Sequence, residues 1–329
     1  MRSEVYYANS AILKNANAGV ISSIPMREIN ATATDVVYAF SAIPTQRRAA
    51  GLDSSGVGYL RSHLLIAAAD PVDVFELKAG GQEGLAELME FVTGGGATIF
   101  TLAYEFGATL QPKPVHLPSL SNEPYAYAAR YDTLVVHDYS SGETYLTGNE
   151  SRYEELESVL QATVSTATEL PDARSVRSSF IKDEYVSAVE QIREYIRSGD
   201  TYQANLTQQF AIEFEAAVRP GEVFTRLRRQ NPSAFAAFIQ RGDTAVVSSS
   251  PERFFRIEGD WIPVAPIKGT IRRGTTPEED VALRNSLAES AKDRAENTMI
   301  VDLLRNDLGR ICEFGSVAVD ELCAVEEHS

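Results

Sequence analysis

At Gly199 the hydrophobic period of the chain changes. Before it, in KDEYVSAVEQIREYIRSGD, apolar residues recur at Val186, Val189, Ile192 and Ile196, with Asp183 near the start and Gly199 just past the end. Spacings of three and four with those stop signals predict an amphipathic helix. After it, in TYQANLTQQFAIEF, Tyr202, Ala204 and Leu206 alternate with polar residues, and Phe210, Ile212 and Phe214 keep the parity. That two-residue period predicts a long strand buried on one face. The chain thus holds both helix and strand, and the expected fold class is α/β of the α+β type.

The rest of the chain fits that class. A helix is expected over roughly 220–230, opened by Pro220 and closed before Pro232, then short strands parted by Gly-Asp turns at 242–243 and 259–260. A single long helix is expected from 278 to 305, its apolar face including Met299, Ile300, Leu303 and Leu304. Upstream, HLLIAAADPVDVFEL reads as two strands around Asp70-Pro71, and YAYAARYDTLVVHDYSSGETYLTG as strands around a Ser-Gly turn. Gly94, Gly95 and Gly96 stop a helix before a further strand; the lysine and hydroxyl residue of a phosphate loop are missing there. The polar stretch TATELPDARSVRSS (166–179) is the expected division between an N-terminal region, 1–170, and a second region, 171–329.

Charge narrows the function. A net charge of −16 repels phosphate backbones, which argues against nucleic acid as a partner. A small anionic substrate is not excluded, because it answers to the field of its own pocket. Neither a secretory leader nor a run approaching roughly 20 apolar residues is visible. Two cysteines, Cys312 and Cys323, make no disulfide framework or zinc pair. A cytoplasmic protein away from the membrane is expected.

Three short strings carry candidate chemistry. SSSPERFFRI places Glu252 at the mouth of a strand, PIKGT places Lys268 at the end of the apolar run WIPVAPI, and KDRAENTMIVDLLRND places Glu296 on a helix near its apolar stripe. Antiparallel neighbours joined through Gly259-Asp260 would bring Glu252 and Lys268 to one end of a sheet. Each residue also has an ordinary reading. Lys268 is then a strand-end lysine reaching water, Glu252 a turn cap or a partner of Arg253, and Glu296 a helix-surface charge beside Lys292.

Together and in this order, GDTYQANLTQQF, SPERFF, PIKGT and DRAENTMIVDLLRNDLGR resemble the chorismate-binding enzymes across roughly 180–325. That family includes anthranilate synthase component I, aminodeoxychorismate synthase component I, and the isochorismate and salicylate synthases. The first half resembles it mainly through ADPVDVF and LAYEFG. The resemblance implies large, mostly antiparallel sheets flanked by helices, like those of anthranilate synthase component I. Lysine in PIKGT is similar to the aminodeoxychorismate synthase form, whereas anthranilate synthases usually carry alanine there. By that resemblance Lys268 is a nucleophile, Glu252 an acid/base group calling for a partly dry site, and Glu296 a ligand of Mg²⁺. Gly269 and Thr270 match positions that hold a substrate carboxylate. Gln203 stands where isochorismate-type relatives place a water-activating lysine, which favours ammonia as the incoming group. The implied product is 4-amino-4-deoxychorismate, on the way to para-aminobenzoate and folate. The implied ammonia source is a separate glutamine amidotransferase, since no glutaminase motif is visible.

Further family motifs, including a second Mg²⁺ glutamate and a His-Leu-Val-Ser-like string, are implied beyond ELCAVEEHS and are not in the sequence; His328 is not equated with the family histidine. The expectation is a catalytic region truncated at its C-terminus, with exposed sheet edge and apolar surface, inactive or poorly folded alone. The tryptophan-binding motif of many relatives is not found in AILKNANAGVISSIPMREI. Anthranilate synthase component I, and a non-catalytic member that only binds a ligand or partner, stand as alternatives.

Overall fold

The computed structural model describes residues 2–6, 25–111, 123–162 and 169–326. The stretch searched for a tryptophan motif, up to Ile24, lies outside the described residues, as do the first residues of TATELPDARSVRSS and His328.

Fourteen strands and eight α-helices form among the described residues. The largest sheet has seven strands. Its members are β2 (Met26–Ile29), β3 (Ala50–Asp53), β4 (Leu64–Ala68), β8 (Thr133–Asp138), β9 (Thr144–Gly148), β12 (Phe235–Gln240) and β13 (Ala245–Ser250). They run β13-β12-β3-β4-β8-β9-β2, and each neighbouring pair is antiparallel. A second sheet places β7 (Ala126–Tyr131) between β5 (Asp73–Leu77) and β6 (Ala97–Leu102). The chain passes from β7 in one sheet to β8 in the other through Asp132 alone.

Four layers result. Helices α1 (Ala33–Ala42), α4 (Tyr153–Ala162) and α6 (Pro220–Gln230) cover one face of the large sheet, with Val36, Phe40, Leu156, Phe224 and Phe238 in the shared core. The other face meets the small sheet through Ala50, Ala68, Ile239, Tyr127 and Ala129. Helices α2 (Gln82–Thr93) and α3 (Tyr104–Thr109) close the far side over Leu77, Leu88 and Phe106. Strand β8 alternates buried and half-buried residues as a strand inside such a sandwich must, whereas the central β7 is buried at five of its six positions.

Local chemistry sets these elements. Thr32 and Asp35 cap α1 reciprocally, and the bonds from Thr32 hold the Asp35 carboxyl below its usual range. Helix α6 crosses α1 so closely that a Cβ on Gly221 would sit 2.0 Å from the carbonyl oxygen of Ser41. Gln240 spans the core edge: its amide oxygen accepts from Ala49 N–H at 2.9 Å and its amide nitrogen donates to Ile43 at 3.0 Å. Below α6 lies a buried ion pair. The Arg228 guanidinium donates to the carboxylate of Asp53, whose side chain is 0% exposed, and to Tyr139 Oη at 2.7 Å. Tyr139 in turn donates to Asp53 at 2.8 Å, and burial pushes its phenol above the usual range. The seven-stranded sheet therefore takes strands from both sides of the division expected near residue 170.

The remaining chain is less regular. Strands β10 (Ala173–Ser178) and β11 (Phe210–Phe214) pair only with each other, and β1 (Arg2–Tyr6) pairs with β14 (Ala318–Ala324). Helix α5 (Lys182–Ser198) forms where its period predicts but buries no residue. Three expectations are corrected. The long strand expected from Tyr202 is regular only as β11, whose residues are mostly exposed. The single helix over 278–305 is two, α7 (Pro277–Glu289) and α8 (Ala291–Gly309), because Ser290 leaves helical geometry to cap α8. The strands expected on either side of Gly259-Asp260 form no ladder with each other and meet in an isolated bridge, Glu258 with Trp261. Pro251, Pro263 and Pro266 lack the N–H groups a ladder needs there. Exposed apolar surface is present in this region, at Val176, Ile181, Val186, Phe210 and Ile212 among others. No helix among the described residues is long and apolar enough to cross a membrane.

Candidate active site

The irregular hairpin after β13 brings two of the sequence-expected residues together. It turns at Gly259, with φ of 58°, and is pinned by reciprocal Glu258–Trp261 bonds of 2.9 and 3.0 Å. Ile262 and Val264 seat its returning limb against Val301 and Leu308 of α8. With that limb fixed, the Ile267 N–H donates to Glu252 Oε1 at 3.0 Å. The Glu252 carboxylate thus takes a backbone N–H and sits one residue from Lys268. Glu252 itself is oriented by Ser250, whose hydroxyl donates to the Glu252 carbonyl at 2.9 Å and accepts its N–H at 3.3 Å. Glu252 is exposed and Lys268 half-buried, so the dry surroundings expected for an acid/base glutamate are not formed around this carboxyl by the protein alone.

Beyond Lys268 the backbone turns through Gly269 at φ 66° and meets α8. A Cβ on Gly269 would lie 2.9 Å from the Cβ and Cγ of Asp293. Glycine is needed on both counts, left-handed backbone and lack of space. Thr270 follows, exposed. One turn along α8, Glu296 accepts a hydrogen bond from Gln203 Nε2 at 3.0 Å. Its partner is therefore Gln203 rather than Lys292. The Gln203 contact also ties the irregular 201–209 segment to α8 beside the Lys268 turn.

No group of three or more His, Cys, Asp or Glu residues poised to hold a metal ion occurs among the described residues. Mg²⁺ is commonly bound by one or two carboxylates, with substrate oxygens and water completing the shell. Glu296, half-exposed and hydrogen-bonded only through one oxygen, fits that requirement. A cavity of about 190 Å³ lies on the α7 side of the turn, lined by Gly269, Thr270, Leu283, Arg284 and Leu287 among others. Of the expected site residues it takes only Gly269 and Thr270. Glu252, Lys268 and Glu296 do not line it.

Sequence reasoning missed Asp293 and its cap, Ser290. The signal was present in Ser290-Ala291-Lys292-Asp293, a serine followed three residues later by an acid, which marks a helix start. It lay hidden inside the run taken as one helix.

Comparison with known proteins gives concordant results. A family model described as chorismate binding enzyme matches residues 45–329. Aminodeoxychorismate synthase component 1 of Klebsiella aerogenes is 36% identical over 233 residues, 71% of this chain and 51% of the relative. Anthranilate synthase component 1 of Aquifex aeolicus is 33% identical over 244 residues, 69% of this chain and 48% of the relative. The chain spans about half the length of the curated relatives it matches. Among solved structures, anthranilate synthase component I from Streptococcus pneumoniae superposes with a TM-score of 0.65 at 24% identity, covering 81% of this chain and 66% of that one. That likeness establishes the fold.

Proposed function

The chain belongs to the chorismate-binding enzyme family, and on that premise we propose that it acts as component I of an aminodeoxychorismate synthase. The reaction joins chorismate and ammonia to give 4-amino-4-deoxychorismate, a precursor of para-aminobenzoate and folate. Ammonia comes from a glutamine amidotransferase partner, and the setting is cytoplasmic. One observation carries the reading: a lysine in PIKGT, one residue from a backbone N–H bonded to Glu252.

In this reading the Lys268 amine adds to ring carbon C2 as the C4–O bond breaks. Glu252 supplies the proton with which the C4 hydroxyl leaves as water. Ammonia then adds at C4, the C2–N bond breaks, and the lysine amine is released. Chorismate lying over Glu252 excludes the water that reaches this carboxyl in the unbound protein. The Gly269 N–H and Thr270 hydroxyl hold a substrate carboxylate. Glu296 would hold Mg²⁺, whose charge would neutralise the ring carboxylate when bound.

The test is direct. The chain is incubated with chorismate, Mg²⁺ and an ammonium salt at alkaline pH, and products are resolved by chromatography with mass detection. Aminodeoxychorismate, lost in Lys268→Ala, is the expected result. Anthranilate would transfer the assignment to the anthranilate synthase reaction, and no product from folded protein would favour a ligand-binding role.

A further inference from the structure

We propose that Asp293, locked by Ser290, is the residue that positions the Lys268 turn; the bearing of this on catalysis rests on the reading of Lys268 as nucleophile. Two of the contacts that hold the turn lie one on each side of the lysine. On the N-terminal side Ile267 N–H is bonded to Glu252 at 3.0 Å. On the C-terminal side the Gly269 backbone packs on Asp293, whose Oδ1 lies 3.0 Å from the place a Cβ would occupy.

Asp293 is not free to yield. Its Oδ2 accepts from the Ser290 hydroxyl, and its own N–H donates to Ser290 Oγ at 3.3 Å. Both bonds belong to the first turn of α8, which is anchored through Val301 and Leu308. The Ser290 hydroxyl thus orients the Asp293 carboxylate through Oδ2, leaving Oδ1 toward Gly269. Asp293 acts as a stop against the Gly269 backbone, which a glycine's conformational freedom would otherwise let move. Asp293 and Glu296 are three residues apart and share a face of α8. The same helix thus sets the lysine turn and, through Glu296, meets Gln203. Because Lys268 lies between these two contacts, loss of the Asp293 stop should loosen the turn on its C-terminal side and expose the amine.

The experiment reads the amine itself and needs no turnover. Wild-type chain and the Asp293→Ala, Asp293→Asn and Ser290→Ala variants are labelled with trace acetic anhydride and digested, and acetylation is quantified by mass spectrometry. The exposed Lys182 and Lys292 serve as internal references. Labelling at Lys268 is expected to rise severalfold in Asp293→Ala and by less in Ser290→Ala. In Asp293→Asn, which keeps the shape and an acceptor oxygen, it should stay near wild type. Unchanged Lys268 labelling in a folded Asp293→Ala chain overturns the proposal. Should that variant not fold, hydrogen exchange of the Gly269 and Thr270 amides in the unsubstituted chain decides. Slowed exchange supports the held turn, and exchange at the rate of an unstructured peptide overturns it. Failure of the chorismate assay would leave this result standing, so the two readings fail separately.

Discussion

Arg228 and Asp53 show what a single residue contributes when it answers a buried charge. The Asp53 side chain has no solvent exposure, and Arg228 and Tyr139 enclose it. Burial alone would lower the Arg228 pKa, but the Asp53 carboxylate and the Tyr139 oxygen hold it above the usual arginine value. Arg228→Met leaves that carboxylate buried and unpaired, so urea denaturation should show a loss of about 3–5 kcal/mol. Adding Asp53→Asn to Arg228→Met should recover much of the loss; a double variant no better than the single would show that shape, not charge, was removed. The candidate strings were legible in the sequence: PIKGT and SPERFF singled out Lys268 and Glu252, and in the structure the Ile267 N–H next to Lys268 bonds to Glu252. Asp53 and Arg228 were not legible, because their meeting depends on α6 packing over β12 and β13 beside the end of β3, which no local pattern announces.

Elements carry the next set of effects, and here local signals succeeded or failed for identifiable reasons. Strands β4 through β9 and helices α2 and α6 were readable because glycine, proline and alternation punctuate them. The break at Ser290 was masked by good helix formers on both sides, and the expected strand at 202–209 failed because pairing, not periodicity, makes a strand. The start of α7 is a test of electrostatics. Glu279 accepts from Thr275, side chain and N–H both, and pairs with Arg272; its pKa falls to about 2. Asp280 pairs with Arg273 and accepts from Gly274 N–H at 2.7 Å, and it also falls to about 2. Both values lie below the ordinary 4.5 and 3.8, so the contribution to stability is complete above about pH 4.5 and is lost as pH falls toward 2. The Gly274 and Thr275 amide proton shifts should titrate with midpoints near 2; midpoints near 4 would mean the contacts do not persist in solution. At the α1–α6 crossing, Gly221→Ala drives a methyl into the Ser41 carbonyl. It should cost about 1–3 kcal/mol in thermal or urea unfolding.

The whole molecule divides by how much it buries. The layered sheets and their helices hold three cores, whereas α5 buries no residue and β10–β11 pair only with each other. Local opening follows burial, so α5 amides should exchange with solvent much faster than those of β12. Equal protection would show that α5 is covered in solution. The large sheet, for its part, is not built from one stretch of chain: β3 pairs with β12, joining Asp53 to Ala236. A ribosome adds roughly 5–20 residues per second, so β3 emerges on the order of ten to forty seconds before its partner strand exists. Over that interval one side of β3 is an unpaired row of backbone donors and acceptors, open to chaperones or to another nascent chain. Slower synthesis between β3 and β12 should lengthen that exposure and lower the yield of folded chain.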